Sequence, residues 1–266
     1  MKSIVRKKLT RWITGSGKLS PEVVSRYYDS WHDRYMNSFG DILQAARLKT
    51  DEELMQRVVD ECNLVPGMQV LDAGCGVGGP AILLAQLSGV EVEAITVSPV
   101  QAKKARKLVE EKGVQKLVNI TEGDFHRLPD YYDNGCFDVV VYLETISHSH
   151  DWDLLFSKTR EVLKAGGTLF VKDFFAMQDE NPEINEQIRV ATVNTNRYCR
   201  LKIREESELI ETAERFGFEL QKRSDLNEII SHDIGRGFTQ NNDVDVYEGG
   251  EAIAYLDWAE LTFVKK

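Results

Sequence analysis

Between Val70 and Gly79 the chain reads Val-Leu-Asp-Ala-Gly-Cys-Gly-Val-Gly-Gly, an apolar run that ends on an acid and breaks into closely spaced glycines before the helical stretch 80–88. No other feature limits the fold as strongly. A strand feeding a helix through residues without side chains brings bare backbone against a ligand and aims the amides at the helix start toward it. Gly74, Gly76 and Gly79 also satisfy the dinucleotide fingerprint, so spacing alone admits a nicotinamide cofactor. Asp72 separates the two readings. A carboxylate just ahead of the glycines repels a pyrophosphate and suits a ligand with a cationic amino group.

The surroundings of this turn give the fold. From Gly67 to Phe175 short apolar runs alternate with helical stretches, the signature of βαβ units and a parallel sheet. Strands are expected over 69–72, 92–97, 118–122, 137–142 and 168–173, with helices over 80–88, 99–112 and 154–163. Later strands over 219–226 and 256–264 make a closing hairpin. The expected fold is α/β, a Rossmann-like mixed seven-stranded sheet with helices on both faces, in one domain over 21–266. Residues 21–65 read as a helical cover, and 177–204 and 227–254 as insertions that cover a ligand.

Charge and composition narrow the partners. A formal net charge of -10 disfavours a phosphate backbone, so nucleic acid is excluded as the main substrate and a small molecule is favoured. No apolar run reaches the ~18 residues that cross a bilayer, and the start lacks a secretory apolar core, so the expected location is cytoplasmic. Cys62, Cys75, Cys136 and Cys199 form no CxxC pair, and no metal site is expected. Residues 1–20 form a basic segment: Lys2, Arg6, Lys7, Lys8, Arg11 and Lys18 stand without an acid in 1–18. Val5, Leu9, Trp12 and Ile13 fall near helical spacing, so the segment is either a solvated terminus or an amphipathic helix that touches an anionic membrane.

With its strand and helix context, the motif at Asp72 resembles the first motif of class I S-adenosylmethionine-dependent methyltransferases, a hydrophobic strand followed by D-x-G-x-G-x-G; the resemblance covers roughly Pro66 to Phe175. It implies S-adenosyl-L-methionine as cofactor, with Asp72 and the backbone of Gly74, Cys75 and Gly76 holding its amino acid part. The second strand of that family usually ends in an acid for the ribose hydroxyls. Here Ala94-Ile-Thr-Val-Ser-Pro-Val-Gln101 has none, and Glu93 lies too early. The segment looks like the ITLSPxQ of tocopherol-, sterol- and cyclopropane-type carbon methyltransferases, which implies Thr96, Ser98 and Gln101 around the ribose and methionine. From the residues alone, Ser98 is equally a helix N-cap ahead of Pro99. Asp124 and Phe125 match the family's adenine-binding pair, against the plainer reading of a loop Asp that caps the next turn. Ala165-Gly166-Gly167 resembles a structural turn of the family.

The fourth strand ends in Tyr142-Leu-Glu-Thr-Ile-Ser-His-Ser-His-Asp151, at the edge where open α/β sheets bind ligands. Methyl transfer is an in-line displacement, for which a protein aligns the reactants and, where needed, removes a proton. Glu144 and His148 are the candidate bases, with Glu144 also placed at the cofactor; the alternative is a structural carboxylate among loop histidines. Tyr27, Tyr28 and Trp31, with Tyr35 and Phe39, fit either an acceptor site with aromatic walls or the buried stripe of an amphipathic helix. The expected function is methyl transfer to a small hydrophobic metabolite, at carbon of an isoprenoid or aromatic acceptor. O- or N-methylation of a small molecule, and a non-catalytic nucleotide-cofactor-binding protein, are the alternatives. The sequence leaves the oligomeric state open.

Overall fold

The computed structural model describes residues 19–229 and 256–266. The basic segment 1–18 and most of the expected insertion 227–254 lie outside the described residues. Helix α1 (Pro21–Phe39) starts where Ser20 caps it and Pro21 takes the first helical position. Thr50 caps α2 (Asp51–Glu61) in the same way, its hydroxyl accepting from the Glu53 amide at 3.0 Å. Among the described residues, no helix is long and apolar enough to cross a membrane.

The sheet follows in alternation with its helices: β1 (Gln69–Ala73), α3 (Gly79–Ser88), β2 (Glu91–Thr96), α4 (Pro99–Glu111), β3 (Val118–Glu122), β4 (Phe137–Leu143), α5 (Trp152–Val162) and β5 (Leu163–Ala176). Two 3₁₀ turns, Phe125–Asp130 and Ile146–His148, follow β3 and β4. Helices α6 (Pro182–Cys199) and α7 (Glu206–Arg215) lead into β6 (Phe218–Asp225), and β7 (Leu256–Lys265) comes last. The strand order is β3-β2-β1-β4-β5-β7-β6, with β7 antiparallel to both of its neighbours. This is the mixed seven-stranded sheet of the class I methyltransferase fold. β5 outruns its expected span because it is paired on both edges: with β4, and with β7 from Thr168 to Ala176.

Both faces of the sheet are buried, which is why its central strands read as continuous apolar runs rather than alternating ones. Val70 packs with Ala81, Leu84 and Ala105 on one face, while Leu71 and Ala73 pack with Leu155, Phe156 and Leu209 on the other. Burial of each such Val or Leu contributes about 1.5–3 kcal/mol. β1 pairs with β2 on one side and β4 on the other, so the chain order reverses there. Connections leave β1 and β4 toward opposite faces, and the crevice at their carboxyl ends is where a ligand fits in such a sheet.

Candidate active site

A cleft with about 630 Å³ of space, open to solvent on one side, lies at that crevice. Asp72, Gly74, Cys75 and Gly76 form its floor, Thr96, Gln101 and Phe125 one flank, and Glu144, Thr145 and His148 the other. Tyr28, Leu43 and Gln44 cover it from the N-terminal side. The sheet edge and the cover therefore meet around one cleft.

Glycine is required in the turn for two different reasons. Gly74 has φ +105, and a Cβ there would stand 2.7 Å from the Thr145 side chain. At Gly79 a Cβ would lie 2.0 Å from the Asp41 carbonyl oxygen, so the close descent of the cover loop needs a bare backbone. The amides do not all point to the cleft as the sequence suggests. Those of Gly74 and Cys75 both donate to the Ile95 carbonyl at 2.9 Å, locking the turn onto β2. What these two residues can offer a ligand is carbonyl oxygen, an acceptor suited to an ammonium group.

Asp72 is 1 % exposed, and its Oδ2 has no partner. Burial pushes its carboxyl up to about 7. An unpartnered buried acid is unfavourable by itself and becomes favourable when a cation enters beside it. Across the cleft, Gln44 is 2 % exposed and accepts from Lys172 Nζ at 2.9 Å through its Oε1, while its Nε2 has no partner. One orphaned acceptor and one orphaned donor thus line the same cleft. Together they complement the ammonium and carboxylate of an amino acid, so the residues present fit the amino acid part of S-adenosylmethionine.

On the flank, Thr96 donates to Gln101 Oε1 at 3.0 Å, which leaves Gln101 its Nε2 donor. Ser98 caps α4, accepting from the Gln101 amide at 3.0 Å, and donates to Asp29 of α1 at 2.5 Å. It is fully buried and does not line the cleft, so the capping role is the one the geometry displays. Asp124 likewise caps the turn that follows it: its Oδ1 accepts from the amide of His126 at 2.9 Å and pairs with Nδ1 of that ring at 2.7 Å. Phe125 lines the cleft, and Asp124 stands just outside the lining residues.

Glu144 stands in the left-handed region at φ 58, a strain of order 1–2 kcal/mol for a side chain of this kind. That conformation turns its carboxylate to the cover, where it accepts from the amides of Ala45 at 2.6 Å and Ala46 at 3.2 Å and pairs with buried Lys172. Its oxygens are occupied, which removes the free base that the sequence suggested. His148 is placed differently. Nδ1 faces the Arg200 carbonyl at 2.9 Å and must donate to it, so Nε2 accepts the Tyr28 hydroxyl proton at 2.8 Å. Burial lowers its pKa to about 4, so the ring is neutral at physiological pH. The turn that carries it is pinned by Asp173, whose Oδ2 accepts from the amides of Ile146 at 2.9 Å and Ser147 at 3.3 Å.

Of the aromatic trio, only Tyr28 lines the cleft. Tyr27 and Trp31 are buried with Phe39 against Ala191 of α6, and the Tyr27 and Tyr35 hydroxyls meet at 2.9 Å. Helical spacing put all three on one stripe, and α6 covers most of that stripe. The sequence reading does not point to Gln44, Lys172 or Asp173. Two adjacent charges at the end of an apolar strand, Lys172-Asp173, were the available signal; Gln44 sits in a nonperiodic loop and gave none.

Comparison with known proteins gives the family and the fold. Residues 24–232 match the family described as mycolic acid cyclopropane synthetase. The chain is 27% identical over 219 residues to 24-methylenesterol C-methyltransferase 3 of Arabidopsis thaliana, covering 79% of this chain and 60% of that one. It is 32% identical over 148 residues to sarcosine/dimethylglycine N-methyltransferase of Halorhodospira halochloris, covering 53% and 52%. The chain thus spans 60% or less of the length of these relatives. Among solved structures, geranyl diphosphate C-methyltransferase from Streptomyces coelicolor, in complex with Mg2+, geranyl diphosphate and S-adenosyl-L-homocysteine, shares the fold with a TM-score of 0.74 at 15% identity, covering 94% of this chain and 100% of that one.

Proposed function

The chain belongs to the mycolic acid cyclopropane synthetase family, and we propose that it uses S-adenosylmethionine to methylate a carbon of a small hydrophobic acceptor of isoprenoid type. The observation that carries this reading is the unpartnered buried Asp72 carboxylate opposite the Gln44 donor, a pair that suits the cofactor's amino acid end. Similarity to a sterol C-methyltransferase and the apolar lining of Val24, Leu43, Pro80, Val97 and Leu143 support the acceptor class.

When bound, the cofactor supplies an electrophilic methyl group on a sulfonium. The protein's part is positioning. Asp72 and the turn carbonyls hold the ammonium, and Gln44 Nε2 the carboxylate. Thr96 and Gln101 serve the ribose side, with Ser98 fixing the start of α4 beneath them, and Asp124 and Phe125 take the adenine. Glu144 and Lys172 hold the cover loop down, which keeps water from the reacting centre. Methylation of an alkene carbon leaves the acceptor with a proton to lose. His148 Nε2, reached through the Tyr28 hydroxyl, receives it: the ring is neutral at pH 7, and a strongly acidic C–H needs only a weak base.

Similarity to a sarcosine/dimethylglycine N-methyltransferase favours a second reading, transfer to the nitrogen of a small amine. Incubating the protein with methyl-labelled cofactor and either prenyl and sterol alkenes or sarcosine and dimethylglycine separates them. Label on carbon of an alkene is the expected result. Label on amine nitrogen alone replaces the first reading with the second, and failure to bind S-adenosylhomocysteine in calorimetry overturns both.

A further inference from the structure

The cofactor reading leaves unused a set of buried polar side chains beside the cleft. His126 is 3 % exposed and has a partner on each ring nitrogen: Asp124 Oδ1 at 2.7 Å on Nδ1 and Ser149 Oγ at 2.9 Å on Nε2. Ser149 is fully buried and also accepts from the Asp151 amide at 3.2 Å. The His150 ring packs on that of His126 with centroids 4.0 Å apart, and Phe125 lies on it at 4.6 Å. Carboxylate, imidazole and hydroxyl in this order activate serine in hydrolases. Here the hydroxyl is buried and off the cleft, so no acyl donor reaches it.

The arrangement does something else. A carboxylate torsion is broad and roughly two-fold, so an Asp held only by a backbone amide does not present a fixed oxygen. Asp124 Oδ1 receives two donors from one residue, the amide and the ring of His126, and this sets the plane of the carboxylate. Oδ2 is then left in one direction as an acceptor. The imidazole is itself fixed at its far nitrogen by Ser149, the residue next to His148. The loop after β3 and the loop after β4 are thereby joined by side chains, not only by the sheet.

We propose that His126 is a positioning residue for purine recognition: it aims Asp124 at the exocyclic amino group of the cofactor's adenine and, through Ser149, ties the adenine end of the cleft to the turn that carries His148. This rests on the cofactor reading above. A 6-amino purine donates to a fixed carboxylate, whereas a 6-oxo purine presents an acceptor there and is repelled.

Binding of S-adenosylhomocysteine and its 6-oxo analogue, S-inosylhomocysteine, by calorimetry tests the role without relying on turnover. The wild type is expected to prefer the 6-amino form at least tenfold. His126→Asn places an amide nitrogen near the Nδ1 position, so its preference should stay within about threefold of wild type. His126→Gln reaches toward Ser149 but loses the Asp124 bond, and His126→Ala loses both. The preference should fall to near unity in these two variants, with thermal melts confirming that they fold. The Asn and Gln variants decide the matter should the Ala variant fail to fold. An unchanged preference in folded His126→Gln overturns the inference, as does a wild type that binds both ligands equally. A wild type that binds neither ligand removes the cofactor reading and this inference with it, an outcome distinct from the other two.

Discussion

The two walls of the cleft each bury a carboxylate, and they treat it in opposite ways. On the sheet wall, Asp72 is enclosed with one oxygen unpartnered. Glu144, facing the cover, is enclosed with two backbone amides and the Lys172 ammonium around it. Burial makes an unpaired charge unfavourable and a paired one tolerable, so the same functional group becomes a waiting binding group in one place and an architectural clamp in the other. The contrast separates groups that meet a ligand from groups that shape its enclosure, a distinction invisible in a list of acidic residues.

The sharpest way to break the comparison is to unpair the clamp. Lys172→Met leaves Glu144 buried without its cation and should destabilise the protein by about 3–5 kcal/mol, read by denaturant unfolding. An effect below ~1 kcal/mol would mean that Glu144 is no better paired than Asp72. The opposite sign is expected at Asp72. Its carboxyl is raised to about 7, so the folded protein holds a proton that the unfolded chain releases near pH 4, and stability without cofactor falls as pH rises through that window. Asp72→Asn removes this penalty and should stabilise the unliganded protein at pH 8 by ~3 kcal/mol, while weakening S-adenosylhomocysteine binding about 100-fold. Thermal melts with and without ligand check both halves.

A milder probe keeps the wild-type chain and changes pH. The ligand's ammonium needs the ionised Asp72, so affinity should rise with pH up to about 7 and then level off, being about 100-fold weaker at pH 5 than at pH 8. Calorimetry across that range would expose a flat profile, which assigns the ammonium to another group. His148 titrates near 4, so it adds no acid limb to turnover above about pH 5. The smallest effect is expected at Tyr28→Phe, which removes the hydroxyl between the cleft and His148. Turnover should fall about tenfold with cofactor affinity within twofold, a split that a merely structural tyrosine would not give.

Much of this was legible in the sequence. Apart from β5, which runs on at both ends, the strands lie close to their expected limits because each is a short apolar run between turn residues. β3 agrees at both ends, Val118 and Glu122. The glycine turn, Asp72 and the cap at Ser98 are local patterns and stand where local rules put them. Legibility stopped where a residue's task depends on a distant partner. Glu144 and His148 are equally polar loop residues in the sequence; one is clamped by Lys172 and the amides of the 45–46 loop, and the other is left with a hydroxyl at its base nitrogen. Tyr27, Tyr28 and Trp31 share a helical stripe, and only the packing of α6 decides which of them faces the cleft.

Apolar periodicity and the glycines between Asp72 and Pro80 determined where the strands and helices lie and where the glycine turn breaks them, since those follow from patterns among near neighbours. The tertiary structure alone decided which polar groups are satisfied. The bonds that do so span 99 residues from Ala45 to Glu144 and 128 from Gln44 to Lys172. No local pattern encodes contacts of that separation. They form only when the cover settles on the sheet edge and water is excluded, and each buried group must then find a partner or wait for one.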